Sequence, residues 1–167
     1  MLQFVRSVSH LKFDELMAIY QEGNREKAEE VYPDLPEAFG MLRAEQDFYQ
    51  YLRDSFFRDP NAFYCLWSVD DRYVSALRLE PYRDGLLLEA LETAPGHRRK
   101  GFALQLLSAV LESLPEGKVY SHVMKNNVPS LRLHEKCGFS KIADLAAYID
   151  GSVNHRAVTL CYEKKEM

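Results

Sequence analysis

The 167-residue sequence is poor in several features at once, and each shortage removes a class of protein. It holds three cysteines, Cys65, Cys137 and Cys161, far apart and without C-x-x-C or metal-ligand spacing. Neither a disulfide scaffold nor a zinc module is expected. The histidines form no metal pattern, so no metal is expected. No apolar run approaches the roughly 18 residues of a membrane-spanning helix. The first residues lack the basic-then-apolar pattern of a secretory signal. The expectation is a cytoplasmic protein with no membrane partner. A net charge of −4 supplies no basic excess, and binding a phosphate backbone needs one, so nucleic acid is not an expected partner. No repeat, low-complexity tract or Pro/Gly/Ser-rich linker divides the chain, and residues 1–167 are expected to form one domain.

Apolar residues make up 47% of the chain, enough for a substantial core. Met1 to Val8 alternates apolar and polar residues and reads as a strand. Phe13, Leu16, Met17 and Tyr20 fall at helical spacing, with Gly23 as the expected stop. Glu37–Arg58 reads as a second helix. Asn61–Val69, Tyr73–Glu80 and Leu86–Thr93 read as a meander of three strands joined at Asp70-Asp71-Arg72 and Arg83-Asp84-Gly85. The period then changes: Ala103, Leu106, Leu107, Val110, Leu111 and Leu114 form the clearest amphipathic helix. Val119–Val123 is a strand and Asn127–Cys137 a short helix, capped by Asn127, with Pro129 in its first turn and Gly138 after its last. Phe139–Ile149 and His155–Glu163 read as two closing strands. The element order is that of a mixed α/β fold.

The segment Leu91-Glu92-Thr93-Ala94-Pro95-Gly96-His97-Arg98-Arg99-Lys100-Gly101-Phe102-Ala103 concentrates the chemistry. A strand ends, a loop carries three consecutive cations, and a helix begins at a glycine. Helix N-termini present unpaired backbone amides and partial positive charge. Gly101 allows close approach and Ala103 keeps the next position small, which suits a diphosphate. A nucleotide P-loop does not fit, since no G-x-x-x-x-G-K-[ST] is present. The dinucleotide fingerprint is absent as well.

Arg98-x-x-Gly101-x-Ala103 resembles the [QR]-x-x-G-x-[GA] motif of the GNAT superfamily of acyl-CoA-dependent N-acyltransferases. Asn127-Val-Pro-Ser130-Leu-Arg-Leu-His134-Glu-Lys-Cys-Gly138-Phe139 resembles that family's later helix, N-x-x-A-x-x-L-Y-x-x-x-G-F. The resemblance implies a mixed, mostly antiparallel central sheet with helices on both faces. It implies acetyl-CoA as cosubstrate, with pantetheine along the backbone of Leu91, Glu92 and Thr93. The diphosphate would lie over Arg98, Arg99, Lys100, Gly101, Phe102, Ala103 and Leu104, with Asn127 and Ser130 beside the arm or the adenosine. His134 stands where the family often has Tyr, near the thioester sulfur. Many relatives are dimers, so a homodimer is implied.

Acyl transfer to an amine needs a base, a polarised carbonyl and a protonated leaving thiol. His134 is the expected acid, since its reference pKa of ~6.5 suits proton transfer near neutrality. Glu89 and Glu92 are the candidate bases, on opposite faces if their strand is regular. Glu89 would then share a face with Leu87, Leu91 and Thr93, where apolar neighbours raise a carboxyl pKa. Residues 1–60 carry net charge −5 and the remainder +1. An amine acceptor is therefore expected against Glu37, Glu45 and Asp47, with Tyr49 and Tyr51 nearby. The alternative is a non-catalytic acyl-CoA-binding sensor or regulatory domain that lost its acid with the Tyr-to-His change.

Overall fold

A computed structural model of the chain describes residues 1–166. The chain opens with β1 (Leu2–Val5), α1 (Phe13–Ile19), α2 (Gln21–Val31) and α3 (Glu37–Asp54). A meander of β2 (Phe63–Val69), β3 (Arg72–Tyr82) and β4 (Gly85–Thr93) leads into α4 (Phe102–Ser113), β5 (Gly117–Met124) and α5 (Val128–Lys136). The last part holds β6 (Ser140–Ala143), β7 (Ala146–Ala147), β8 (Val153–Asn154) and β9 (Ala157–Lys164). Seven strands form one sheet in the order β1-β2-β3-β4-β5-β9-β6, and β7 and β8 form a small separate ribbon. Every pairing in the large sheet is antiparallel except β4 with β5.

The two faces of the sheet follow from strand alternation. Tyr64, Leu66 and Ala76 point to one face, where Leu16 and Ile19 of α1 and Leu52 of α3 cover them. Cys65, Leu77, Leu79 and Leu88 point to the other, beneath Leu106, Leu107 and Val110 of α4. The i, i+1, i+4 spacing of those α4 residues gives the apolar stripe that packs on the sheet.

Four expectations change. Gly23 does not end the helical region, because it sits inside α2, a polar helix that buries only Asn24 and Ala28. A Cβ on Gly40 would stand 3.3 Å from that of Ala28, so α2 and α3 meet through small residues. The first strand is Leu2–Val5 rather than Met1–Val8. The stretch read as one strand from Phe139 breaks into β6 and β7, and the chain returns through β8 before β9 pairs along β5.

The fourth change concerns β4. Arg78 faces Glu89 and Ala76 faces Glu92, so three residues on β4 span what two span on β3. The extra residue is accommodated at Ala90, whose φ of 54° makes a bulge. Directly paired residues share a face, so Glu89 and Glu92 lie on the same face, with Arg78 and Ala76. Leu91 and Thr93 turn to the α4 face, where Leu91 packs in the α4 core and Thr93 Oγ1 meets Ser75 Oγ at 3.0 Å. The Tyr20 hydroxyl donates to the freed Ala90 carbonyl at 2.7 Å.

Candidate active site

β4 and β5 pair only over Leu86–Leu88 and Val119–Ser121. Beyond Leu88 the two parallel strands part, and β4 contributes to the walls of two cavities. Leu91, Glu92 and Thr93 line one of about 650 Å³. Leu87 to Ala90 line the other, of about 610 Å³.

The first cavity sits at the start of α4. Gly101 caps that helix with φ 81°, a left-handed conformation that glycine adopts without strain. Gln105 makes the first intrahelical bond, to the Gly101 carbonyl at 3.0 Å, which leaves the amides of Phe102, Ala103 and Leu104 ahead of the ladder. No side chain caps this end. A Cβ at Gly101 would meet only the end of Gln105, at 3.9 Å, so the space over the helix start is open. Arg98, Arg99, Gly101, Phe102, Ala103 and Leu104 all line the cavity, as do Asn127 and Ser130 across from them. Asn127 Oδ1 accepts from the Ser130 amide at 3.3 Å, the cap expected from sequence.

Three expected cofactor residues stand differently. Lys100 does not line the cavity. Arg98 lines it, but its guanidinium is held by both carboxylate oxygens of Glu22 (3.1 and 2.9 Å) and by Glu92 (3.2 Å). Its charge is already met. His134 lines neither cavity. Its ring is 1% exposed, with Nδ1 donating to the Ser130 carbonyl at 2.8 Å and Nε2 accepting from the Ser121 hydroxyl at 2.9 Å. Burial holds its pKa below the ordinary histidine value, with the Ser130 carbonyl acting the other way. The ring thus links α5 to β5 through both nitrogens and stands outside both cavities, away from where the expected acid would meet a thioester. Reading from sequence missed Arg132 and Lys136, which line the cavity from α5. Their i, i+4 spacing was the available signal.

The second cavity is acidic and apolar. Glu89 lies at its wall with Arg78 behind it, Nη2 to Oε2 at 3.4 Å. Glu89 Oε1 and Arg78 Nε are buried without partners. Burial and the neighbouring Glu80 carboxyl push the Glu89 pKa up to about 8, against the pull of Arg78. Arg78 also lies over the rings of Tyr51 and Phe56, at 5.1 and 5.7 Å. The opposite wall is the turn carrying Tyr148, Ile149 and Asp150. The Tyr82 hydroxyl ties it down by donating to the Ala147 carbonyl. His122 of β5 stacks edge-on against Tyr148 at 5.1 Å. Glu92, the other candidate base, faces the first cavity instead, paired with Arg98.

The acidic wall expected from α3 is elsewhere. Glu37 pairs with Arg25 at 3.5 Å, and Asp47 takes the Tyr32 hydroxyl at 2.5 Å and Lys27 at 3.4 Å. Glu45 and Tyr49 line a separate groove. Of that region only Tyr51, Ser55 and Phe56 reach the second cavity. Among the described residues no cluster of three metal-ligating side chains occurs, and no helix is long and apolar enough to cross a membrane.

A mixed sheet that parts between two parallel strands, with an uncapped helix N-terminus at the parting, has the architecture of the GNAT fold. The sequence model of the acetyltransferase (GNAT) family matches residues 25–139, and the chain belongs to that family. No curated protein matches the sequence. Among solved structures the fold is similar to an IAA acetyltransferase from Bacillus cereus, at 13% identity, covering 98% of this chain and 99% of that one with a TM-score of 0.61. The PaiA N-acetyltransferase from Thermoplasma acidophilum, solved with coenzyme A, gives 11% identity, 98% and 99% coverage and a TM-score of 0.61. The ribosomal-protein-S18-alanine N-acetyltransferase from Escherichia coli gives 15%, 98% and 94%, and 0.60.

Proposed function

We propose that the protein transfers an acetyl group from acetyl-CoA to a primary amine held in the second cavity. The observation that carries this reading is the division of labour along β4. Leu91–Thr93 wall the cavity at the α4 N-terminus, and Leu87–Ala90 wall the one that holds Glu89. The first cavity fits acetyl-CoA on its own terms: unpaired amides of Phe102, Ala103 and Leu104, open space over Gly101, and Arg99, Arg132 and Lys136 around it. The edge of Glu89–Thr93 that β5 has left can pair with the amides of a pantetheine arm.

Bound there, acetyl-CoA supplies an acyl carbonyl on a thiol leaving group. Glu89 takes the proton of the incoming ammonium, and the freed nitrogen lone pair attacks the carbonyl carbon. A β4 amide past Leu88 holds the developing oxyanion. As the C–S bond breaks, its electron pair leaves on sulfur. Thiols ionise near pH ~8.5, so the thiolate departs without an acid at His134 and takes up the second amine proton. Holding both reactants on one strand supplies much of the rate through orientation.

Free-thiol release from acetyl-CoA in the presence of amines tests the reading. Gly101→Glu places bulk and negative charge where the diphosphate would lie and should abolish the CoA-induced thermal shift, about 2.7 kcal/mol at a hundredfold excess over Kd. An unchanged shift in that variant would refute the cradle. The burial of His134 also favours the second reading, an acyl-CoA sensor without turnover. That reading predicts CoA binding with no amine-stimulated thiol release.

A further inference from the structure

The walls of the second cavity specify more than an amine. Its carboxyl groups are Glu80, Glu89 and Asp150, with Glu89 ionising only toward about pH 8, and among the described residues no Lys or Arg lines it. The rest of the lining is largely apolar or aromatic, with Phe56, Leu87, Met124, Tyr148 and Ile149 as its larger contributors. We infer that the acceptor is a small primary amine carried on an apolar, ring-sized body, with no carboxylate or phosphate of its own. This inference rests on the acetyltransferase reading and names the substrate class of the same site.

The ammonium end belongs at Glu89. Oε1 of that residue is buried with no hydrogen-bond partner, and once the carboxyl has lost its proton a buried acceptor left unpaired is costly enough that an arriving N–H group is strongly favoured. Glu80 stands beside it, so a cation there faces two carboxyl groups. The nearest cations stand outside the lining, and of Arg78 only the buried Nε lacks a partner. Arg78 is held by Glu89, by the Tyr64 hydroxyl at 3.4 Å and by the Tyr51 and Phe56 rings. Arg83 lies over the Tyr82 and Tyr120 rings at 5.0 and 5.6 Å. His122, the remaining titratable group on the β5 side, is held below its ordinary pKa by burial and by Arg83, which keeps it neutral.

The body of the acceptor then meets hydrocarbon and ring faces. A volume of about 610 Å³ is that of a small-molecule site. At the turn stands Asp150, kept ionised by the Ser152 hydroxyl and amide. A carboxylate on the acceptor would lose its water, find no cation in the lining and face Asp150 and Glu80. Amino acids are thereby excluded, while the amines derived from them by loss of the carboxylate are admitted.

A matched panel tests this at saturating acetyl-CoA, reading free thiol and the acetylated product by mass. Phenethylamine should exceed ethylamine at least tenfold in kcat/KM, since the ring fills the apolar wall. It should exceed phenylalanine by about a hundredfold, and phenylalanine amide, which has the same shape without the charge, should recover most of that loss. Asp150→Lys should narrow the phenethylamine–phenylalanine gap by about tenfold. Phenylalanine within tenfold of phenethylamine, ethylamine equal to it, or a gap unmoved by Asp150→Lys would overturn the substrate class and leave the acetyltransferase reading standing. A protein that binds acetyl-CoA yet releases thiol with none of the four amines would overturn that reading and this inference together.

Discussion

At the scale of single residues, Glu89 is a half-buried ionisable group and His134 a fully buried one, and their environments push their roles apart. The Glu89 carboxyl has an ordinary pKa of 4.5 and is raised to about 8 in the fold, chiefly by burial. Between those values the folded protein keeps a proton that the unfolded chain has released. Its contribution to stability is therefore complete below 4.5 and is lost as pH rises through about 8. Glu89→Gln, which stays neutral, should flatten the decline in denaturation midpoint from pH 5 to pH 9. The same variant should lower kcat by about 10²–10⁴. Wild-type turnover should rise with pH and level off above about 8, the pKa of Glu89. A rise continuing to the amine pKa near ~10 would mean that the free amine alone sets the profile. His134 has the opposite sign. Its pKa is depressed from 6.5, so the stability of its neutral, doubly bonded ring is present above 6.5 and lost as pH falls below it. His134→Ala leaves the Ser121 hydroxyl unpaired and opens a cavity, at a cost of about 2–4 kcal/mol. Its kcat should stay within tenfold of wild type. A kcat loss of a hundredfold with unchanged Tm would restore the acid role.

At the scale of elements, the bulge in β4 decides which face each candidate base occupies. Ala90 holds φ 54° there with its carbonyl captured by Tyr20. A left-handed conformation costs an alanine roughly 1–2 kcal/mol, a glycine little, and a β-branched residue more. Ala90→Gly should leave Tm within a few degrees, while Ala90→Val should lower it by several degrees and reduce turnover. A valine variant as stable as wild type would mean that the bulge is not fixed by Tyr20. None of this was legible in Gly85–Thr93, whose eight residues after the first glycine include no further glycine or proline to mark an irregularity. The regular reading put Glu89 with Leu91 and Thr93 for that reason. α2 was hidden differently: its apolar side chains are only Ala28 and Val31, so no apolar period announces it, and Gly23 read as a stop. α4 and the capped start of α5 were legible because their signals are local, an apolar stripe in one and an Asn cap with a following proline in the other. His134 was placed on the right helix, but the length of its side chain, and so whether it reaches the cleft or stops at Ser121, is a tertiary matter.

At the scale of the whole molecule, charge is sorted by β4 rather than by sequence half. Residues 1–60 keep a net −5, but Glu37 and Asp47 among them are tied to Arg25 and Lys27 away from both cavities. The functional asymmetry lies between the two cavities, one with Arg99, Arg132 and Lys136 at its wall and the other with Glu80, Glu89 and Asp150. The three cations differ from Arg98, which sits in the motif that made the chain readable yet is already neutralised by Glu22 and Glu92. Removing a cation that has no competing carboxylate should weaken CoA binding more than removing one that has two. Arg132 and Lys136 are exposed, so each is worth what an exposed ion pair is worth, up to about 1 kcal/mol, or about fivefold in Kd. Calorimetric titration with CoA should show Arg132→Ala and Lys136→Ala each raising Kd by about 2–5-fold and lessening its dependence on salt, since exposed charges are screened over ~10 Å at 0.1 M. Arg98→Ala should raise Kd by less than either. Amine KM at saturating acetyl-CoA should not move in the α5 variants, because β4 separates their charges from the Glu89 cavity. A larger effect at Arg98 than at Arg132 and Lys136 together would mean that CoA strips Arg98 from Glu22, and that the free-state ion pair gates the cradle.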